Sequence, residues 1–509
     1  MSTRAAPQAP AGPPPGRSPL VEHRPFLVLL ALGVLVRVAV TAAFTPGLMM
    51  SDAPTYLDVV DTPVPNPDRP VGYALLLLVP VTAVSDTVLA VVLAQHALGL
   101  GTAALLYALL RRWRVGRWPA ALAAAPLLLD SLQLILEHAP LSDTTFVALV
   151  VAGLAVLAWR PRPTVALALG AGLLLGASAT VRQVGTPLVL AGALHCLLVG
   201  RTWRARSVTA LVLAAGFALP VGAYATWYQS HHGAFALSDV GGRSAYMRTT
   251  AFVDCAQLDV PRYQRVLCPP QPRGERLDPT NYGWYDVPHG GTAISLDPPG
   301  GTTRDEAMRS FAAAAVRAQP LDYAAVVARD VALNFDLWRG NRAEYDTAFK
   351  WRFGTYLDRA PTAYTSAGYA EHGGDQLSVR RPLGDVLAGY SRAVYLPGPV
   401  LLACLGLAVA AALGAGRARA SGMRALCLLF AVCGLGLLLV PAVGTQFVWR
   451  YQLPALALLP AAAALAWTAL RPGAAGPGPL TRRRGLPEPR RPRGPSGRRA
   501  PAPAARERG

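Results

Sequence analysis

Charged residues are scarce in this chain of 509 residues, where they make up 15% against about 25% in a soluble globular domain. Hydrophobic residues make up 52%, and the mean hydropathy is +0.32. So little charge over so long a chain excludes an ordinary soluble enzyme. The composition therefore predicts a membrane protein.

Lysine is almost absent, because Lys350 is its single occurrence and arginine supplies nearly all of the net charge of +19. This preference for arginine indicates a GC-rich bacterial genome. A basic protein often binds nucleic acid, but these arginines lie between apolar runs. We therefore expect a lipid bilayer as the partner and no nucleic acid.

Long apolar runs predict the fold class, since a transmembrane helix needs roughly 17 to 25 mostly apolar residues. Ten runs meet this length, and the prediction is an all-α polytopic membrane protein. The ten predicted spans lie at residues 25–46, 87–110, 118–136, 141–159, 164–181, 186–200, 207–228, 393–415, 424–443 and 453–470.

Arginine clusters fall on alternate connections between these spans, at residues 111–117, 160–162, 201–206 and 417–424, and in both tails. Short cytoplasmic loops carry an excess of basic residues. We therefore predict a multi-pass protein of the plasma membrane with both termini in the cytoplasm. The first apolar run exceeds the 7 to 15 residues of a signal-peptide core, so we expect a retained helix.

The predicted division has five parts. Disordered cytoplasmic tails, poor in large apolar residues, enclose two groups of spans, and one long polar segment lies outside the membrane between spans seven and eight. The parts are residues 1–24, 25–228, 229–391, 392–470 and 471–509. Helical pieces are predicted within the extracytoplasmic segment at residues 303–319 and 322–338.

The cysteines agree with this topology. Four fall in predicted spans as small packing residues, whereas Cys255 and Cys268 lie in the extracytoplasmic segment. A disulfide between these two would suit that compartment and would stabilise the folded segment by about 3 kcal/mol. The chain has no CxxC pair, and its eight histidines lack metal-ligand spacing, so we predict no bound zinc.

Acidic side chains are concentrated in two predicted outer connections. The loop after the first span contains Asp52 and Asp58, and Glu137, His138 and Asp143 lie between spans three and four. A solvated acidic loop would explain the first connection. Helix capping by Ser142 or Asp143 would explain part of the second, but it leaves Glu137 and His138 unexplained.

Arginines in outer connections oppose the normal charge bias, so Arg69, Arg182 and Arg450 indicate either an anionic partner or pairing with a carboxylate such as Asp143. Arg37 and Asp130 lie inside spans one and three. Ionisable groups in a span normally face a partner or the bundle interior. These two are expected either to pair with each other or to support a site at the outer face.

Carboxylates and arginines gathered at one membrane surface suit sugar transfer from a lipid-phosphate carrier. A carboxylate can take the proton of an attacking hydroxyl, while cations stabilise the departing phosphate. Such a phosphate leaves without a general acid. This differs from hydrolysis of an ordinary glycoside, in which two carboxyl groups share the work.

The order of these features resembles the GT-C class of membrane glycosyltransferases, and specifically the branch similar to dolichyl-phosphate-mannose protein mannosyltransferases and bacterial lipid-linked-sugar transferases. The resemblance covers about half of the chain. It rests on Arg37, Ser51-Asp52-Ala53-Pro54-Thr55-Tyr56, Arg69-Pro70-Val71-Gly72-Tyr73, residues 137–143, Arg182-Gln183 and Arg450-Tyr451-Gln452-Leu453-Pro454.

The resemblance implies an inverting, metal-independent hexosyl- or pentosyltransferase without a cofactor. It implies a polyprenyl-phosphate sugar donor, and a glycan, lipid or protein acceptor in the cell envelope. Asp52 matches the family's base, but Ala53 stands where a second acidic residue is common. The base is therefore left open among Asp52, Asp58 and Asp143.

Arg182, Arg450 and Arg69 are then candidates for binding the donor phosphate, with His138 as a weaker one. Arg37, Glu137, His138 and Gln183 are expected to support the site. Two other functions fit the sequence, namely a multi-span transporter and a non-catalytic cell-envelope scaffold. Transporters bind near the bilayer midplane, often between repeated halves, and no internal repeat is evident in this sequence.

Overall fold

The structure is a computed structural model, and it describes residues 19–285, 293–341, 348–354, 370–373 and 377–471. Within these ranges it is mostly helical. Most of both predicted disordered tails lies outside the described residues. The first helix nevertheless begins at Pro19, so residues 19–24, which the sequence assigns to a tail, are helical.

The first half of the chain is a succession of helices joined by short loops. They are α1 (Pro19–Ala43), α2 (Ala53–Asp61), a π-helical turn (Ala74–Leu78), α3 (Val79–Thr82), α4 (Val88–Arg112), α5 (Arg117–Leu129), α6 (Ser131–Glu137), α7 (Asp143–Leu157), α8 (Val165–Val181), α9 (Leu188–Val199) and α10 (Trp203–His232).

The second half contains the polar segment and then the last apolar helices. Its helices are α11 (Gly241–Thr250), α12 (Pro279–Trp284), α13 (Arg304–Ala318), α14 (Pro320–Leu333), α15 (Leu383–Ala393), α16 (Gly398–Leu413), α17 (Ala418–Ser421), α18 (Arg424–Gly444) and α19 (Leu453–Leu470). The sheet content of the described residues is small: β1 (Phe44–Thr45) pairs antiparallel with β2 (Ser378–Val379).

Helix occupies all ten predicted spans, but the helices differ in length. Among the described residues, five helices are long and apolar enough to cross a membrane, and the total reaches seven if two bent pairs each count as one span. One bent pair is α5 with α6, at an angle of 48°. This break has a local cause, because the Asp130 side chain accepts a hydrogen bond from the Leu132 amide and so caps α6. The number ten stays a prediction.

The apolar helices divide into a buried centre and an exposed apolar periphery. Of the most apolar stretch in each helix, 78% of the residues are buried in the span that includes α19, against 28% in α1. Small residues allow close helix contacts. A Cβ atom added at Gly172 of α8 would lie 2.2 Å from the carbonyl oxygen of Leu213 in α10, so only glycine fits there.

The polar segment has a hydrophobic core of its own, in which Tyr246, Phe311 and Tyr282 are fully buried. Thr303 and Glu306 form a capping box that begins α13. The second predicted helix ends at Leu333 rather than at residue 338. The structure also contains the predicted disulfide between Cys255 and Cys268, which closes a loop within this segment.

Candidate functional site

The predicted site residues of four separate connections meet at the same end of the helical bundle. Asp52 directly precedes α2, and Asp143 is the first residue of α7. Arg182 directly follows α8, and Arg450 lies in a single 3-10 turn before α19. Together with Arg69 these residues form what we call the charged cluster.

Arg450 is the centre of the charged cluster. One of its terminal nitrogens, Nη1, lies 2.9 Å from Oδ2 of Asp52. On the other side Nε donates to both carboxylate oxygens of Asp143, at 3.1 and 2.9 Å. A single guanidinium therefore joins two carboxylates that are 91 residues apart in the sequence.

Arg182 also binds Asp143 and donates from Nη1 to Oδ1 at 2.9 Å. It also donates to the hydroxyl of Ser142 at 3.3 Å, and the Tyr56 hydroxyl donates to the same oxygen at 3.1 Å. Ser142 occupies the N-cap position of α7, but its side chain makes no capping hydrogen bond. Capping by the Ser142 side chain is thus wrong as an explanation, because this oxygen faces the charged cluster.

Arg69 forms an ion pair with Asp52 and connects the charged cluster to the polar segment. The guanidinium of Arg69 lies 5.9 Å from the ring centre of Trp284, and that of Arg243 lies 4.2 Å from the same ring. Arg243 also pairs with Asp68 at 2.9 Å. The segment after α2 is therefore held against α11 and α12.

The electrostatics of the charged cluster favour an anionic ligand, since three arginines accompany two aspartates. Burial alone would raise the pKa of Asp52, but Arg69, Arg450 and Arg182 outweigh it and hold that pKa well below its usual value. Asp52 is also the more accessible carboxylate, with 25% of its side chain exposed against 5% for Asp143. Asp52 is thus ionised and open to solvent.

Ser51 holds Asp52 in place through an uncommon backbone conformation. Its φ of 48° lies in the left-handed region, which costs a residue other than glycine about 1–2 kcal/mol. In this conformation the Ser51 hydroxyl accepts from Nη1 of Arg450 at 3.0 Å and donates to Asp52 at 3.2 Å. Strain of this kind often marks a functional position.

An apolar recess begins beside the charged cluster, with Asp143, Arg182 and Tyr451 at its polar end. The guanidinium of Arg182 lies 5.3 Å from the ring centre of Tyr451. The rest of the recess has apolar walls from α7, α18, α19 and the turn before α9, formed by Phe146, Val147, Val184, Leu437, Pro441, Leu453 and Pro454. Charged and apolar surfaces are therefore adjacent.

Arg37 and Asp130 do not pair with each other. Arg37 instead binds Glu137, with Nη2 donating to Oε1 at 2.7 Å. Asp130 binds Arg339 of the polar segment at 2.8 Å. Both aspartate and arginine face inward as predicted, but each has a partner that the sequence analysis did not identify.

The remaining predicted residues lie outside the charged cluster. Glu137 and His138 are completely buried, and His138 contacts His96 and the carbonyl oxygen of Phe44. A phosphate contact by His138 is therefore wrong for this structure. Gln183 donates to Ser238 at 2.7 Å, and Asp58 is an exposed residue of α2 with no described contact to the charged cluster.

Several contributors to the site were missed by the sequence analysis. Trp351 of the polar segment lies with its ring centre 5.6 Å from the guanidinium of Arg450, and no sequence pattern marked it. Tyr56 and Ser51 belong to the motif of residues 51–56, but nothing in that motif assigns either of them a contact with Arg450 or Ser142. Among the described residues, no three His, Cys, Asp or Glu side chains are grouped closely enough to hold a metal ion.

Comparison with known proteins gives little further identification. No family profile and no curated protein matches the chain. Two solved structures of an Archaeoglobus fulgidus oligosaccharyltransferase match, one the apo form and the other AglB with an inhibitory peptide and a dolichol-phosphate. Each is 12% identical and matches 89% of this chain and 51% of its own, with TM-scores of 0.41 and 0.38.

The chain thus spans about half the length of the chains in those two structures. At this identity and these TM-scores the matches assign neither an activity nor a substrate to it. What the structure establishes is a predominantly helical protein with several apolar helices of membrane-crossing length and a charged cluster at one end of the helical bundle.

Proposed function

We propose that the protein is a GT-C-type membrane glycosyltransferase that moves a sugar from a polyprenyl-phosphate donor to an acceptor hydroxyl on the extracytoplasmic face. The observation that carries this proposal is the bridge through Arg450. One cation contacts both the accessible carboxylate of Asp52 and the buried carboxylate of Asp143. A base and a binding site for a leaving phosphate would then lie side by side.

In this reaction the acceptor hydroxyl gives its proton to Asp52 while its oxygen attacks the anomeric carbon of the donor sugar. The bond from that carbon to the phosphate oxygen breaks, and the electron pair leaves with the polyprenyl phosphate. Attack opposite the leaving group inverts the anomeric configuration. Arg182 and Arg450 stabilise the phosphate charge as it develops.

Binding of the donor would also tune the base. A carboxylate with a strongly lowered pKa is a poor base, because efficient proton transfer needs a pKa nearer the working pH. A phosphate that takes contacts from Arg69, Arg182 and Arg450 weakens their hold on Asp52. Asp52 then becomes more basic in the complex than in the free protein.

The apolar recess offers the hydrocarbon part of such a donor an apolar surface rather than a ready-made channel, because the space inside holds only about one water molecule. Its walls of Phe146, Leu437 and Leu453 begin directly beside Asp143 and Arg182. A phosphate at the two arginines would lie next to these side chains, and the prenyl chain would have to part them to enter the recess. The charged residues also lie at helix ends, whereas transporters bind their substrates near the bilayer midplane.

The test compares two aspartates of one loop and helix, Asp52→Asn and Asp58→Asn, in membranes that contain equal amounts of inserted protein. The assay follows a labelled sugar from a panel of polyprenyl-phosphate sugars into cell-envelope acceptors. We expect Asp52→Asn to lose about 100- to 10,000-fold in rate, as loss of a general base does. Asp58→Asn should keep its activity, because Asp58 is exposed and outside the charged cluster.

Retention of full activity by Asp52→Asn, with loss in Asp58→Asn, would move the base to Asp58. Failure of the intact protein to transfer any sugar of the panel, while it carries a solute across vesicles, would replace the proposed function with transport.

A further inference from the structure

A second group of ionisable side chains lies beneath the loop that carries Asp52, and the proposed reaction does not use it. The group consists of Arg37 on α1, His96 on α4, Glu137 at the end of α6 and His138 directly after it. Each of the four is at most 4% exposed. We call them the buried relay. Ionisable groups at membrane depth are costly and normally serve a function.

Glu137 is ionised, because its oxygens are surrounded by donors. Nε and Nη2 of Arg37 donate to Oε2 and Oε1 at 2.8 and 2.7 Å, and Nε2 of Gln133 donates to Oε1 at 2.7 Å. Such a two-pronged arginine contact is typical of an ionised carboxylate. Gly99 makes room for it, since a Cβ atom there would lie 1.8 Å from Oε1.

The hydrogen bonds continue from Glu137 through both histidines to the main chain. Nδ1 of His96 lies 2.8 Å from Oε2 of Glu137, and Nε2 of His96 lies 3.1 Å from Nδ1 of His138. Nε2 of His138 lies 2.6 Å from the carbonyl oxygen of Phe44. These are three contacts in series, and each needs a hydrogen.

The number of hydrogens follows from the two ends of the series. A carbonyl oxygen only accepts, so Nε2 of His138 carries a hydrogen, and a neutral ring then leaves Nδ1 as an acceptor. The His138 ring is completely buried, and its hydrogen-bond partners are His96 and a carbonyl oxygen rather than a carboxylate, so this ring is neutral. His96 must therefore donate from Nε2 to His138, while a further hydrogen lies between its Nδ1 and Glu137.

His138 also fixes the start of the Asp52 loop through its main chain. Its carbonyl oxygen accepts from the Leu48 amide at 2.8 Å, while its ring holds the carbonyl of Phe44. Both attachment points lie on the short stretch between α1 and Asp52. A change in the hydrogen bonds of His138 would therefore change the position of Asp52.

We propose that His96 and His138 are positioning residues whose hydrogen bonds fix the loop of residues 44–52. In this arrangement the buried relay holds one proton more than it would with Glu137 ionised and both imidazole rings neutral. The catalytic consequence rests on the proposed glycosyltransferase function. The extra proton and the fixed loop do not.

The direct test is nitrogen NMR of the full-length protein in lipid nanodiscs at neutral pH, with labelled histidine. Signals of the two rings are assigned from His96→Gln and His138→Gln. We expect a hydrogen on both ring nitrogens of His96 and on Nε2 alone of His138. A single hydrogen on each ring, with Glu137 ionised by infrared spectroscopy, would overturn the extra proton.

The positioning role is tested by the access of a thiol reagent to Met49→Cys, a half-buried position in the loop. His138→Phe keeps an aromatic ring at this position but removes both side-chain hydrogen bonds of His138. Gly99→Ala instead displaces Glu137, at the other end of the series of hydrogen bonds. Each should speed labelling by about tenfold, the effect of losing one or two hydrogen bonds. The protein with native Met49 supplies the background rate.

The matched control is His195→Phe. His195 is another histidine that is 4% exposed, and its ring contacts the Ala425 carbonyl on α18 rather than the loop. His195→Phe should leave labelling unchanged. Equal labelling in all three variants would overturn the positioning role. In an active protein, His138→Phe should lower kcat more than it changes the donor KM, and the reverse split would also contradict it.

Discussion

The charged cluster and the buried relay use the same pair of groups, arginine and carboxylate, in opposite ways. In the buried relay Glu137 and Arg37 are 0% and 3% exposed and bind each other through two hydrogen bonds. In the charged cluster three arginines share two aspartates, and Asp52 keeps a quarter of its side chain exposed. The first arrangement is closed, whereas the second has cationic capacity left for a ligand.

This difference indicates that the ion pair of the buried relay matters mainly for stability, whereas the charged cluster matters mainly for ligand binding and chemistry. A buried ion pair contributes little net stability against an apolar alternative, but removal of one partner is severe because it leaves an unpaired charge. A partly exposed carboxylate such as Asp52 can instead be lost at smaller cost, because water solvates the arginines that it leaves. Variants of the two groups should therefore differ most in what they damage.

The largest effect on stability is expected for Glu137→Gln. The variant leaves Arg37 buried without an anionic partner and should lose about 3–5 kcal/mol. Asp52→Asn should lose only about 1 kcal/mol, because Asp52 is partly exposed and Arg450 keeps Asp143. Thermal unfolding in one detergent measures both. Similar unfolding temperatures for the two variants would contradict the contrast between the groups.

A smaller effect is expected in the pH dependence of transfer. The arginines lower the pKa of Asp52 in the free protein, so kcat/KM should not fall until well into the acid range. Bound phosphate competes for these arginines and raises that pKa. The acid limb of kcat, which reports the complex, should therefore lie about one pH unit higher than that of kcat/KM. Coincident limbs would show that the donor does not displace the arginines from Asp52.

The smallest effect distinguishes the two roles of Ser51. Both Ser51→Ala and Ser51→Gly remove the hydroxyl that contacts Arg450. Glycine also relieves the left-handed backbone, so Ser51→Gly should be the more stable variant by about 1 kcal/mol. Chemical or thermal unfolding of the two proteins side by side gives the difference. Equal stability would mean that the backbone at Ser51 stores no strain.

The positions of the helices could be predicted from the sequence because each long apolar run corresponds to a helix, as α4 and α18 illustrate. The lengths of the helices were harder to predict. The apolar run over α5 and α6 is continuous in composition, but Asp130 caps α6 and the two helices meet at an angle. Sequence patterns also located the ends of the polar segment's helices only within several residues. The side of the membrane that each connection faces stays a prediction.

The charged cluster could be predicted from the sequence because its arginines break the charge bias expected of outer connections. The ion-pair partners of buried residues could not be predicted, as Arg37 and Asp130 show. Two residues at similar depth in different spans need not face each other, and the partner of Asp130 is Arg339, which is 209 residues away in the sequence. Such partners depend on tertiary packing, which local patterns do not record.

The central claim is that the charged cluster binds a lipid-linked phosphate, and equilibrium binding of a short-chain polyprenyl phosphate tests it most directly. The measurement uses Asp52→Asn, alone and combined with Arg182→Ala, in nanodiscs without any acceptor. Asp52→Asn should bind at least as tightly as the intact protein, because it removes a competing negative charge. Addition of Arg182→Ala should weaken binding about 10- to 100-fold, as loss of one charged hydrogen bond does. Unchanged binding after Arg182→Ala would contradict the claim.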